Sequence, residues 1–180
     1  MILCDLPPGT TLFRAHTPQW AIQPTSGAGA ATRGGRFNRP GVEALYLSLD
    51  ELTALREYQQ TSPFLPPCTM CSYTVALRGL VDLHQLHHGQ PWDELWHDWR
   101  EDWRHLAFEQ RIEPPTWVLA DMVRAQGHTG IVFPSLTHPG GTNVVVYLDR
   151  LHDSDSVRVN DPDGRLPRDQ SSWSRSDGLR

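Results

Sequence analysis

Apolar positions in this 180-residue chain fall into short runs whose period changes several times. Residues 11–15, Thr-Leu-Phe-Arg-Ala, read as a brief strand. Residues 23–35 then lose all periodicity in a run rich in Gly, Ala, Ser and Thr, which marks a loop of the kind that carries function. Residues 44–47 form a second apolar strand feeding a helix over about residues 49–60, and Ser48-Leu49-Asp50-Glu51 has the hydroxyl-then-glutamate spacing of an N-terminal cap. Alternation over residues 72–77 predicts a half-buried strand.

Residues 91–108 switch to helical spacing, with Trp92, Leu95, Trp96, Trp99, Trp103 and Leu106 on one stripe and an acidic opposite face. A helix over 115–125 closed by Gly127 follows, then strands at 130–133 and 143–149. Residues 156–159 are strand-like, and Asp161-Pro162-Asp163-Gly164 turns the chain. The order mixes β and α without a repeating βαβ unit. It predicts one α+β domain over residues 1–166 and a polar tail over 167–180, whose final dozen residues are expected to be disordered.

Composition narrows the function. A net charge of -5 works against a broad positive field for nucleic acid. Every one of the sixteen positive side chains is arginine, so Schiff-base chemistry and a phosphate-loop lysine are excluded. Three cysteines without secreted spacing, no leader pattern and no apolar run of 18 residues predict a cytoplasmic protein that does not enter membranes. Cys68-Thr-Met-Cys71 has the spacing of half a zinc site, which His84, His87 or His88 would have to complete. The expectation is no metal, with the cysteines as small buried hydrophobes. The four indoles at i, i+4, i+7 and i+11 read first as core and second as a docking face.

Candidate chemistry begins at Gly34-Gly35-Arg36-Phe37-Asn38. Two glycines let a backbone approach a ligand, and an arginine can fork onto a phosphate or carboxylate. Alone, this is better read as a turn with a solvated charge. Tyr46, ten residues on in an apolar strand, and Glu57, eleven further in the following helix, give it companions.

The run Phe13-Arg14, Gly34-Gly35-Arg36-Phe37-Asn38, Ala44-Leu45-Tyr46-Leu47-Ser48 and Ala54-Leu55-Arg56-Glu57, with Phe133-Pro134-Ser135 before Asn143-Val144-Val145-Val146-Tyr147, resembles the RES domain, named for its arginine, glutamate and serine. The resemblance covers about residues 11–149, and residues 157–166 resemble the extension of its ParT-like subgroup. It implies a fold like the ADP-ribosyltransferases, with two small sheets around an NAD cleft and flanking helices. It also implies a toxin that breaks the nicotinamide–ribose bond of NAD⁺ and is paired with an Xre-type antitoxin. NAD⁺ would be substrate, with no further cofactor. The acceptor of the ADP-ribosyl group stays open between water, phosphate and a protein side chain.

On this resemblance Glu57 is the catalytic carboxylate, favouring a cationic ribose, while Arg36 and Arg14 hold the pyrophosphate. Tyr46 would stack on nicotinamide or bond the ribose, and Ser135 would offer its hydroxyl. Gly35, Asn38 and Asn143 are further ligand contacts. Helical geometry places Glu57 about 140° from Leu52, off the apolar stripe, and leaves Arg56 as a solvated neighbour. A homodimer is a further expectation, and direct nucleic-acid binding is not expected. The rival readings are a non-catalytic nucleotide-binding module acting through the tryptophan face, and a ribonuclease, which would need a general base and a basic track.

Overall fold

Two 14-residue strands organise the chain, β1 (Leu3–His16) and β3 (Thr69–Asp82), in a computed structural model that describes residues 1–87 and 92–173. They pair antiparallel along their whole length, from Leu3 opposite Val81 to His16 opposite Thr69. The sequence pattern marks only the middle of each, because Pro7-Pro8 interrupts the alternation of β1. Register shifts between Cys4 and Leu6 and between Leu6 and Thr10 absorb that interruption and bend the strand.

The remaining strands and α-helices are α1 (Ala28–Arg33), β2 (Leu45–Ser48), α2 (Glu51–Gln59), α3 (Pro115–Ala125), β4 (Gly130–Pro134), β5 (Thr142–Val146) and β6 (Ser156–Val159). Strand order is β1-β2-β5-β4-β3-β6, and the β1–β3 pairing closes the first five into a ring. The expected two small sheets are therefore one. Strand β3 is long enough to take β6 along Tyr73–Ala76 and β4 along Leu80–Asp82 on the same edge, so no second sheet has to begin.

Period-two alternation assigns the two faces of this ring. Leu12, Leu45, Leu47, Tyr73, Val75, Leu77, Val132, Val144 and Val146 meet in one core fed by all five ring strands. The intervening Ile131, Phe133, Val145 and Tyr147 face outward onto a second core with Leu119, Ala120 and Val123 of α3.

Trp96 and Trp99 fill that second core at 1% and 2% exposure, and Trp103 is also buried, so packing is the role of these indoles. The continuous helix expected over 91–108 is not formed, and its Pro91 lies outside the described residues, as does His88. Glu94–Arg100 is a 3₁₀ helix, in which the three-residue spacing of Trp96 and Trp99 places both on one side. The chain then breaks at Glu101, and Asp102 caps a new start by accepting from the Arg104 and His105 N–H groups. Within the segment expected to be loop, residues 28–33 form the short helix α1. At the chain end Gln170 donates to the Gln19 carbonyl at 3.1 Å and residues 171–173 make a 3₁₀ turn, whereas residues 174–180 of the expected tail lie outside the described residues.

Candidate functional site

The register of the sheet brings the chemistry-bearing residues into one row. Phe13 pairs with Ser48, Ser48 with Asn143, and Asn143 with Phe133. Helix α2 crosses over β1 and β2 at this point and carries Glu57 toward the row. The helix start is set by Asp50, not Ser48: the Asp50 carboxylate accepts the Thr53 N–H at 2.8 Å, and Ser48 is the last residue of β2. Leu52 is 50% exposed, and the buried residues of α2 are Thr53 and Ala54. Glu57, four and three residues beyond them, thus lies on the inward face of the helix rather than away from it. Arg56 is exposed and bonds only Gln59 among the described residues.

The two oxygens of Glu57 differ in their partners among the described residues. Oε1 accepts from the Ser135 hydroxyl at 2.7 Å and from the Asn143 amide at 2.6 Å, while Oε2 has no protein partner among the described residues. Ser48 donates to Asn143 Oδ1 at 2.8 Å, which orients the amide so that its NH₂ faces the carboxylate. Ser135 is held in turn by the Thr137 and His138 N–H groups, which donate to its hydroxyl oxygen. Ser48 was not anticipated from the sequence, because its role depends on a partner 95 residues away.

Opposite the carboxylate stands the glycine loop. Tyr46 donates to Asn38 Oδ1 at 2.8 Å and accepts the Phe37 N–H at 2.9 Å. Burial pushes the phenol well above its ordinary range, so it is neutral. With its hydroxyl committed to the loop, Tyr46 presents only its ring. Asn38, 1% exposed, spends its NH₂ on the carbonyls of Ala30, Arg39 and Val42. It therefore orders the loop and Tyr46 instead of reaching a ligand directly. Gly35 is required by proximity: a Cβ there would lie 2.5 Å from Tyr46 Oη and 2.6 Å from Asn38 Oδ1.

These groups enclose a cleft of about 640 Å³ lined by Arg14, Gly35, Arg36, Tyr46, Glu57 and Asn143, among others. Arg36 donates through Nη1 to the carbonyls of Trp99 and Glu101 at 2.8 and 2.9 Å, which anchors the guanidinium while leaving its other nitrogens available. Among the described residues the Arg14 guanidinium has one hydrogen bond, a long one of 3.5 Å to the Ser26 carbonyl. Burial lowers the pKa of both guanidiniums, and among the described residues neither lies within ion-pair distance of a carboxylate. Arg104 lines the same cleft with its guanidinium 4.6 Å from the Trp103 ring centroid. It was missed because the sequence places it on the polar face of a helix that is not formed.

Two half-buried cations with no carboxylate within ion-pair distance among the described residues can hold an anion. The single carboxylate beside them can stabilise positive charge developing on a ligand. Elsewhere, Cys71 is buried, Cys4 and Cys68 are half-buried, and among the described residues no group of three or more His, Cys, Asp or Glu side chains is placed to hold a metal ion. No described helix is long and apolar enough to cross a membrane.

Comparison with known proteins finds that the model of the RES domain matches residues 11–169. No curated protein matches the sequence. Among solved structures, the chain is similar to one in the crystal structure of the M. tuberculosis MbcT-MbcA toxin-antitoxin complex. The TM-score is 0.59 at 18% identity, over 87% of this chain and 84% of that chain. That likeness shows a shared fold.

Proposed function

Because the chain belongs to the RES domain family, we propose that it is the toxin of a toxin–antitoxin pair and that it breaks the nicotinamide–ribose bond of NAD⁺. The observation that carries this reading is the pairing, in one cleft, of a Glu57 held by two hydrogen bonds with two arginines that have no carboxylate within ion-pair distance among the described residues. A dinucleotide presents a pyrophosphate to the arginines and a ribose to the carboxylate. As neutral nicotinamide departs, positive charge grows on the ribose, and Glu57 Oε2 stabilises that charge more strongly than it does the ground state. Tyr46 supplies a flat apolar wall for the leaving ring.

A ribonuclease reading is less well supported: among the described residues no histidine lines the cleft to serve as general base, and the net charge of -5 works against a broad positive field for RNA. The acceptor of the ADP-ribosyl group is water, phosphate or a protein side chain. Control falls to a partner, an Xre-type antitoxin, whose acidic or carboxylate-ended segment would pair with Arg14 and Arg36 and compete with NAD⁺. Chromatography of NAD⁺ incubated with the purified protein, with and without phosphate, tests the reading. Release of nicotinamide is expected, and the form of the ADP-ribosyl product identifies the acceptor. Intact NAD⁺ under both conditions would refute it.

A further inference from the structure

Beside the cleft lies a second cavity of about 590 Å³, which the catalytic reading does not use. Arg14, Ala15 and Tyr58 line both. Arg14 thus stands at the boundary between two chambers of similar size, each within the range of small-ligand sites. A guanidinium there, without a carboxylate partner among the described residues, suits the centre of an elongated ligand that is anionic in the middle and uncharged at its far end.

The walls of the second cavity support this. Trp20, on the 3₁₀ turn Pro18–Trp20, is 58% exposed and offers an indole face on which a base can stack. Gln23, Ser26, Thr32 and Gln170 supply uncharged donors and acceptors for a base edge or a ribose. Arg14 is the one arginine in this wall among the described residues, and no carboxylate lines it. His16 is buried and bonds Tyr73 Oη at 2.6 Å; burial and the nearby Arg14 lower its pKa to about 4, so it is neutral at physiological pH.

We infer that the second cavity is the adenosine site of the dinucleotide, with the pyrophosphate on Arg14 and the adenine on Trp20. It follows that the site takes NAD⁺ in preference to NADP⁺, since a 2′-phosphate would enter a chamber with no cation beyond the one already engaged. This rests on the reading of the first cleft as the ribose–nicotinamide site.

Calorimetry with ADP and with nicotinamide mononucleotide, on the parent protein and on Trp20→Ala and Trp20→Phe, separates the two ends. Loss of one base–aromatic stack predicts a roughly tenfold weaker ADP affinity in Trp20→Ala, largely restored in Trp20→Phe. Nicotinamide mononucleotide affinity should not change, and the KM for NAD⁺ should rise by about the same factor as the ADP dissociation constant. NADP⁺ should bind the parent at least about tenfold more weakly than NAD⁺. A parent that fails to bind ADP, an ADP affinity indifferent to Trp20, or equal losses for both half-ligands would overturn the assignment. Equal affinity for NADP⁺ would overturn its specificity. ADP bound through Trp20 by a protein that leaves NAD⁺ intact would keep this site and remove the proposed activity. NAD⁺ cleaved by Trp20→Ala at an unchanged KM would do the reverse.

Discussion

Glu57→Gln isolates the charge of the carboxylate from its shape. Glutamine can place its amide oxygen where Oε1 now accepts from Ser135 and Asn143, so both bonds survive as neutral ones. Each then falls from a contribution of about 1.5–3 kcal/mol to about 0.5–1.5 kcal/mol. Part of that loss is offset because a half-buried charge no longer has to be desolvated, so a net destabilisation of about 1 kcal/mol is expected. The effect on chemistry is larger. The group lost is Oε2, which has no protein partner among the described residues and faces the reacting ribose on the proposed mechanism. Removing one preorganised electrostatic group of this kind costs about 10²- to 10³-fold in kcat.

The assay is the initial rate of nicotinamide release, with thermal melting as the control for folding. A fall in kcat of about two to three orders of magnitude is expected, with little change in KM, because the charge acts on the transition state. Ser135→Ala gives the graded comparison: Asn143 still holds the carboxylate, so a loss of about tenfold is expected. A Glu57→Gln protein that releases nicotinamide at the parental rate would refute the electrostatic role, whatever the fold of the domain.

Arg36→Ala should weaken ADP-ribose binding about 10- to 100-fold in calorimetry, and Arg36→Lys should recover only part, since an ammonium cannot serve the Trp99 and Glu101 carbonyls and a phosphate with one rigid fork. Gly35→Ala should cost about 1–3 kcal/mol, read as a lower Tm, because its Cβ collides with Tyr46 and Asn38; Gly29→Ala, where a Cβ meets open space, should be neutral or slightly stabilising. His16 titrates at about 4 in the fold against its ordinary 6.5, so its contribution to stability, about 3 kcal/mol, is complete above pH 6.5 and is lost as pH falls through about 4. Chemical denaturation across that window should show the slope in the parent and a flatter one in His16→Gln.

The parts of this molecule legible in its sequence are those fixed by local pattern. Strands β2, β4 and β6 and helices α2 and α3 stand where alternation, helical spacing or a terminal glycine places them. What escaped depends on distant partners. The ends of β1 carry no clear alternation, and pairing with β3 alone makes them strand. The tryptophan spacing fits an α-helix and two shorter turns equally well, since Trp96 and Trp99 are three apart and Trp99 and Trp103 four. The Asp102 cap decides for the break, and with it the position of Arg104.

The same distinction runs through the cleft. Arg14, Arg36, Tyr46 and Glu57 are recognisable as types in an order, yet their roles are divided by contacts invisible along the chain. The Tyr46 hydroxyl is spent on Asn38 and Phe37, so the tyrosine contributes a ring and Asn38 contributes order. Asn143 and Ser135 are spent on one oxygen of Glu57, so they act by orienting the carboxylate, whose other oxygen has no protein partner among the described residues. The uncharged polar groups Tyr46, Asn38, Ser135 and Asn143, which a one-dimensional reading assigns to the ligand, are thereby engaged in holding a neighbour. Among the described residues, the charged groups of the cleft left free include one carboxylate oxygen and the unengaged nitrogens of Arg14 and Arg36. A site so arranged keeps its charges in place before a ligand arrives, and the energy of organising them is met in folding rather than at the reaction step.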